Sequence, residues 1–163
     1  MVESRRKVKN NPFKDLKNSS VQYWLGFMCA DGGVFENRIN LGLQERDEKH
    51  IDKYIDFMGG TITKSKCIKN MNNKEFISYR ASFRSTLVSK FLYKLGITPN
   101  KSLTLDYKGK MTNDFIRGVI DGDGYIRKTY TEVSIATGSI KFAKQLQEFI
   151  VDNYKVNCTI RKS

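Results

Sequence analysis

The chain has 163 residues, of which 39% are hydrophobic, and it carries a formal net charge of +12 at pH 7. A chain of this length can bury a core, as one domain or as two small repeated halves. The strong basic balance indicates a polyanionic partner, although a soluble basic domain without such a partner is an alternative. Three scattered cysteines and a single histidine leave little material for a zinc site or for Cys/His or Ser/His catalysis.

The sequence also bears on location. We find neither a secretory signal nor an apolar run of membrane-spanning length, so we expect a protein that is not secreted and has no membrane partner. Odd and widely spaced cysteines are typical of reduced thiols. We therefore expect an intracellular location, cytoplasmic or organellar, as for a cellular or a phage-encoded protein.

The first 19 residues are polar and basic, and they predict an arm that either contacts phosphates or is simply mobile. Ser19 or Ser20 offers an N-cap for a helix that runs to about Ala30. Gly32 and Gly33 are expected to end this helix, because glycine takes the left-handed conformation at the least cost.

Alternating polar and apolar residues then predict a half-buried strand from Arg38 to Gln44, with Val34 and Phe35 in its hairpin partner. Asp47 is placed to cap a second helix, in which apolar residues recur at helical spacing. A β-rich hairpin and a third amphipathic helix follow. These three elements are a helix over 47–58, strands over 61–68 and 76–83, and a helix over 87–95.

Residues 97–111, which include Pro99 and Gly109, are predicted as a linker. The same order of elements then begins again, and Ser139 stands where Asp47 stood, as the cap of a helix. The elements predicted here are a helix over 112–121, strands over 125–130 and 132–137, a helix over 139–153 and a last strand over 156–161.

The element order predicts an α+β fold made of two pseudo-symmetric repeats of the form αββαββα, residues 20–96 and 112–163. The second repeat is shorter by about one strand and one helix, and it stops where the partner of its last strand is expected. An exposed unpaired strand invites aggregation. We therefore expect either a fragment or an open edge that something else covers.

One short stretch occurs twice, and each copy is an apolar run that ends in Asp-Gly. Small residues four apart, Gly26 with Ala30 and Gly118 with Gly122, allow two helix backbones to approach closely. The two copies therefore predict a pair of helices packed side by side, which end together. The copies are WLGFMCADG, residues 24–32, and IRGVIDGDG, residues 116–124.

Each copy places an acid at the last turn of its helix, Asp31 in the first and Asp123 in the second. The helix dipole disfavours negative charge there, and two neighbouring carboxylates also repel each other. A single Asp-Gly would be read as a plain helix stop, but two matched copies predict a bound cation. Oxygen donors suit Mg²⁺ or Mn²⁺. Asp121 has no acidic counterpart, since Cys29 holds that position, and is expected to cap or hydrogen-bond locally.

These two stretches, together with the element order, resemble the LAGLIDADG homing endonucleases in their two-motif, monomeric form. The resemblance implies a saddle of antiparallel strands on double-stranded DNA, with the motif helices at the pseudo-twofold interface. It implies that Asp31 and Asp123 ligate the metal, assisted by backbone oxygens at Ala30 and Gly122. The ions would activate water and stabilise the leaving 3′ oxygen of one phosphate per strand. It also implies a basic catalytic residue near the end of the second hairpin, where Arg84 stands.

Polar residues at alternating strand positions are the candidates for contact with DNA. Arginine, asparagine and glutamine can read base edges, whereas lysine suits phosphates. An ordinary solvated sheet face is the alternative for each single residue. The candidates for base contact are Arg38, Asn40, Gln44, Arg80, Ser82, Arg127, Ser134 and Arg161, and those for phosphate contact are Lys64 and Lys66.

Sequence alone therefore favours a divalent-metal-dependent, sequence-specific DNA endonuclease, monomeric unless another chain supplies the missing end. The alternatives are an RNA-splicing maturase, which would bind RNA, or a DNA-binding protein on the same fold that does not cleave. A basic scaffold for acidic protein partners is a third possibility. It would show little salt-dependent DNA binding.

Overall fold

The computed structural model describes residues 10–59, 62–71, 74–129 and 131–161, so residues 1–9 of the predicted arm lie outside the described part. Within these ranges the fold is α+β, and none of the helices is both long and apolar enough to span a bilayer. The helices are α1 Ser19–Ala30, α2 Glu48–Phe57, α3 Thr86–Lys94, α4 Lys101–Thr104, α5 Asn113–Asp123 and α6 Ile140–Tyr154. The strands are β1 Gly32–Phe35, β2 Arg38–Gln44, β3 Thr63–Met71, β4 Lys74–Arg84, β5 Gly124–Ile126 and β6 Val133–Ile135.

The first repeat contains an antiparallel sheet with the strand order β1-β2-β4-β3. On its apolar face, Ile39 and Leu41 are fully buried, and α2 and α3 pack against β2. In contrast, the opposite face carries Arg38 and Arg80, both of them exposed. One sheet face therefore belongs to the core and the other is free for a partner.

The second repeat is smaller. In the described residues, β5 and β6 form a separate two-stranded antiparallel sheet in which Ile126 lies opposite Val133. Both strands are three residues long, half the predicted length, although a backbone hydrogen bond from Arg127 to Glu132 extends the pairing. The predicted saddle is thus developed on the first side only.

The predicted last strand over 156–161 is wrong: these residues follow α6 without strand structure. A strand needs a neighbouring edge with free backbone groups, and in the described chain the segment pairs with none. Instead, the side-chain amide of Gln147 donates to the carbonyl of Cys158. Alternating residues therefore did not suffice to make a strand here.

Two expected helix ends differ in detail. Asn18, not a serine, caps α1, because its side chain accepts hydrogen bonds from the backbone of Ser20 and Val21. Gly32 and Gly33 are not left-handed; they are the first residues of β1. Gly32 is needed for space instead, since a Cβ there would lie 2.5 Å from the sulfur of Met28.

The segment predicted as a linker, 97–111, packs into the core. It contains the short helix α4, and the side chains of Ile97, Leu105 and Tyr107 are buried. The hydroxyl of Ser139 donates to the Leu105 carbonyl, which fixes the segment to the start of α6. The connection between the repeats is therefore a structural element of the site described next.

Candidate functional site

The two motif helices, α1 and α5, pack against each other through their glycines. A Cβ at Gly26 would overlap the carbonyl oxygen of Phe115, and one at Gly118 would overlap the carbonyl oxygen of Tyr23. Each of these carbonyls belongs to the residue three positions before the other glycine. The contact is therefore reciprocal, and it gives the pair a local twofold symmetry.

The same packing continues to the helix ends and brings the motif acids together. A Cβ at Gly122 would overlap that of Ala30 and lie 3.4 Å from the Oδ2 atom of Asp31. Asp31 follows α1 directly and Asp123 is the last residue of α5. The two carboxylates therefore lie at the neighbouring C-terminal ends of α1 and α5.

Their pKa values reflect this position. Enclosure of the Asp31 carboxylate, and secondarily the charge of Asp123, raises the pKa of Asp31 to about 6. Burial also raises the pKa of Asp123. Lys101 opposes both shifts, because its positive charge favours the ionised carboxylates. A cation bound between two such carboxyl groups would favour their ionised forms and offset their mutual repulsion.

Lys101 is the residue that the sequence interpretation missed. It begins α4, the residue is 7% exposed, and its Nζ donates to the carbonyl oxygens of Cys29 at 2.6 Å and Ala30 at 2.5 Å. Burial lowers its pKa, although the neighbouring Cys29, Asp123 and Asp31 partly counter the shift. The apolar residues on both sides of Lys101 were the available signal that this segment is packed.

Arg84, the predicted basic residue, does not reach the acids. Its guanidinium donates to the side chain of Asn37, in the turn between β1 and β2. Arg84 pairs with Arg38 at the start of β2, whereas the acids lie near the opposite end of that strand, beside Gly42. The buried cation near the acids is therefore Lys101.

A cleft of about 620 Å³ opens beside Asp31. Asp47 lines it, but this residue makes no side-chain cap bond to α2, unlike Ser139, which caps α6 as predicted. The Asp47 carboxylate instead lies 3.3 Å from the Nε atom of Arg46. The lining residues are Phe27, Asp31, Gly42, Leu43, Gln44, Arg46, Asp47, His50, Asp121, Gly122 and Gly124.

Two residues of the cleft lining, His50 and Asp121, belong to a hydrogen-bonded chain that connects three helices. The Tyr23 hydroxyl donates to Asp121 at 2.8 Å and lies 2.9 Å from Nε2 of His50. A hydroxyl has one proton, so His50 donates to Tyr23 through Nε2. Asp121, which was expected to bond locally, therefore joins α5 to α1 and α2. Burial lowers the pKa of His50 and so favours its neutral form.

The sheet register separates the predicted DNA-contacting residues into two faces. Residues directly opposite in an antiparallel pair share a face, so the pairing of Asn40 with Ser82 and of Gly42 with Arg80 builds one polar surface. We call it the polar face. Its members among the predicted residues are Arg38, Asn40, Gln44, Arg80 and Ser82.

Lys64 and Lys66 lie on the other face of the sheet. Lys64 pairs with buried Ala81, and its ammonium contacts Glu48 at 2.5 Å and Asp52 at 2.8 Å. Strand β3 has polar residues on both sides, so alternation could not assign its faces. The phosphate contact predicted for these two lysines does not fit this placement.

The remaining three predicted residues are on the surface of the second repeat. Arg127 forms an exposed ion pair with Glu132 at 3.1 Å, and Ser134 lies opposite Tyr125. Arg161 is exposed and outside any strand. The structure does not unite these three with the polar face of the first repeat.

Comparisons with known proteins agree with this architecture. Residues 110–163 match the LAGLIDADG-like domain family. The fold is similar to the homing endonuclease I-WcaI bound to its DNA recognition sequence, at 15% identity and a TM-score of 0.64, over 87% of this chain and 70% of that one. No curated protein matches the sequence.

Two further similar structures are full-length DUF199/WhiA from Thermatoga maritima and the N-terminal LAGLIDADG domain of DUF199/WhiA. The first is 12% identical with a TM-score of 0.59, and the second is 13% identical with a TM-score of 0.57. Each likeness covers 96% of this chain, which spans 52% of the full-length protein and 77% of the domain. The predicted LAGLIDADG resemblance and the α+β fold class are thus confirmed.

Proposed function

We propose that this chain, which has the LAGLIDADG fold and matches the LAGLIDADG-like domain family over residues 110–163, is a sequence-specific DNA endonuclease that depends on a divalent cation. The observation that carries the proposal is the pair of motif acids, Asp31 and Asp123, at adjoining helix ends. A protein that only binds DNA gains nothing from two carboxylates near the phosphates, because they repel the backbone.

The donor set fits Mg²⁺ or Mn²⁺. The described residues contain no group of three or more His, Cys, Asp or Glu side chains that could hold a metal ion by themselves. Magnesium is commonly held by one or two carboxylates, with substrate phosphates and water as the other ligands. Asp31, Asp123 and the Gly122 carbonyl would hold the ion on DNA. The bound ion would supply an activated water and stabilise the leaving oxygen.

The other residues of the site have separate tasks in this proposal. Lys101 favours the ionised form of the two carboxylates and places positive charge where negative charge develops. Gln44 and His50 line the cleft and can orient the phosphate or a water molecule. The polar face of the sheet contacts base edges, which selects the sequence.

The experiment separates binding from cleavage. Duplexes with a randomised core of about 20 base pairs are selected for binding without Mg²⁺, and the enriched sequence is then incubated with Mg²⁺. We expect one enriched sequence and Mg²⁺-dependent strand breaks that disappear in Asp31→Asn and Asp123→Asn. Enrichment without any break, in Mg²⁺ or Mn²⁺, would contradict the nuclease proposal and leave a DNA-binding protein.

That outcome defines the second candidate function, a DNA-binding protein that does not cleave. One observation favours it: the Ala30 carbonyl, an expected metal ligand, already accepts a hydrogen bond from Lys101. A carbonyl oxygen has two lone pairs, so the bond does not exclude a metal. The Mg²⁺ arm of the experiment distinguishes the two functions.

A further inference from the structure

We propose that this chain breaks only one strand of its DNA target and therefore makes a nick. The inference rests on the proposed nuclease function and concerns its product. A double-strand break requires two hydrolysis reactions, each with its own supporting groups. Within the described residues, the chain has two motif acids, but the polar residues that surround them differ between the two sides of the helix pair.

The first side presents polar side chains to the cleft. Between β2 and α2, the chain passes through Gln44 and a single 3₁₀ turn, Glu45–Asp47. Gln44, Arg46 and Asp47 line the cleft beside Asp31, and His50 adds an imidazole from the first turn of α2. This side can therefore position a phosphate and a water molecule.

Within the described residues, the second side offers fewer polar side chains at the corresponding place. Residues 136–139, Ala-Thr-Gly-Ser, connect β6 to α6, where the first side has Glu45–Asp47 after Gln44. Gly138 lies against α4, where a Cβ would come 2.6 Å from the Ser102 carbonyl. The Thr137 hydroxyl accepts from the backbone of Ser139, and the buried Ser139 hydroxyl both donates to Leu105 and accepts from Phe142. The hydroxyl groups of Thr137 and Ser139 thus take part in hydrogen bonds that hold the connection and the start of α6 in place.

The helix caps allow a direct comparison of one position. His50 lies three residues after the cap residue Asp47, and Phe142 lies three residues after the cap residue Ser139. Phe142 is buried in the core and has no polar atom in its side chain. The imidazole of the first side therefore has an apolar counterpart on the second.

The buried cation is also single. In the described part of the chain, Lys101 is the one lysine or arginine with a buried side chain. It donates to carbonyls at the end of α1, and within the same ranges no side chain donates to the carbonyls of Asp121 or Gly122 at the end of α5. The charge of Lys101 acts on both acids, but its hydrogen bonds hold only the end of α1, so the two helix ends differ in their direct contacts.

The test uses a supercoiled plasmid that carries the sequence enriched by binding selection, incubated with Mg²⁺ and the whole chain. We expect nicked circles to accumulate, with linear plasmid formed at least about 100-fold more slowly. End-labelled duplexes should show breaks at one position on one strand. Linear plasmid at a rate similar to nicking would overturn the inference but leave the nuclease. Enriched DNA that is never broken would overturn both.

Two matched variants test which side of the helix pair is responsible for nicking. Gln44→Ala should slow nicking at least about 10-fold, whereas Thr137→Ala, on the other side, should leave the rate within about twofold. The rates are compared at saturating protein, because Gln44 also belongs to the polar face and its loss should weaken binding. Equal loss of nicking in the two variants under these conditions would show that both sides work and would contradict the inference.

Discussion

The ammonium group of Lys101 lies 2.5 Å from the carbonyl oxygen of Ala30, at the end of the first motif helix. A second hydrogen bond of 2.6 Å joins it to Cys29. Two carbonyls at a helix C-terminus form the negative end of the dipole, and a cation there is favourable. Lys101 therefore compensates both the helix end and the acid pair beside it.

Replacement of Lys101 by methionine should reduce DNA cleavage by about 100-fold or more, because the site loses its fixed positive charge. Affinity for the selected duplex should change less than about threefold, since a buried side chain contacts little of the DNA. The rates come from single-turnover cleavage in Mg²⁺ and the affinities from gel shift in its absence.

Lys108→Met is the matched control for Lys101→Met. Lys108 is exposed and pairs with Asp106 at 2.6 Å, so this variant removes one charge without touching the acids. Its cleavage rate should stay within about twofold of the unmodified chain, as for most surface pairs. A similar loss in both variants would show that overall charge, not the buried position, is what matters.

Replacement of Asp31 by asparagine should stabilise the fold at high pH. The pKa of folded Asp31, about 6, is above that of an unfolded aspartate, about 3.9. The folded state thus disfavours the ionised form of Asp31. The resulting loss of folding stability grows between pH 4 and pH 6 and reaches its full size above pH 6. Allowing for solvent screening, we expect about 1 kcal/mol at pH 8, or ~2–4 °C in Tm.

The comparison for Asp31→Asn is Asp152→Asn, on the exposed side of α6. This variant should leave Tm unchanged, within about 1 °C, at both pH 4 and pH 8. The gain in Tm for Asp31→Asn should vanish at pH 4, where the folded carboxyl is already protonated. A gain of the same size at both pH values would contradict the electrostatic explanation.

The sequence was most informative where spacing alone decides the structure. Gly26 and Gly118 recur with the same helical offsets, and close approach of two backbones tolerates only the smallest residues, so the helix pair could be predicted. Element order likewise predicted the α+β class. Both conclusions depend on a repeat, and a repeat can be recognised within a single sequence.

The rest depends on tertiary contacts that local patterns do not specify. Lys101 lies 70 residues along the chain from the acid Asp31, and only the packing of α4 brings it close. Lys64 alternates as a surface residue would, yet its strand pairs so that it faces α2. The segment 156–161 alternates as a strand would but finds no edge to join. Tertiary position, not local propensity, decided these cases.

The polar face of the sheet predicts different effects for two basic residues. Arg80→Ala should weaken binding to the selected duplex about 10-fold or more, because an arginine base contact is worth ~1–3 kcal/mol. Lys66→Ala, on the opposite face, should change affinity less than about twofold. Gel shifts at several salt concentrations measure both. Equal losses would show that DNA does not lie on the polar face.

Replacement of Gly118 by alanine should destabilise the fold by about 3 kcal/mol or more, because the added methyl group meets the Tyr23 backbone and forces the two helices apart. Alanine favours the helix itself by about 1 kcal/mol, so a loss must come from the packing. Gly42→Ala is the comparison, since its nearest atoms lie 3.8 and 3.9 Å away, and its stability should not fall. Urea denaturation followed by circular dichroism measures both, and equal stabilities for the two variants would contradict the glycine contact between α1 and α5.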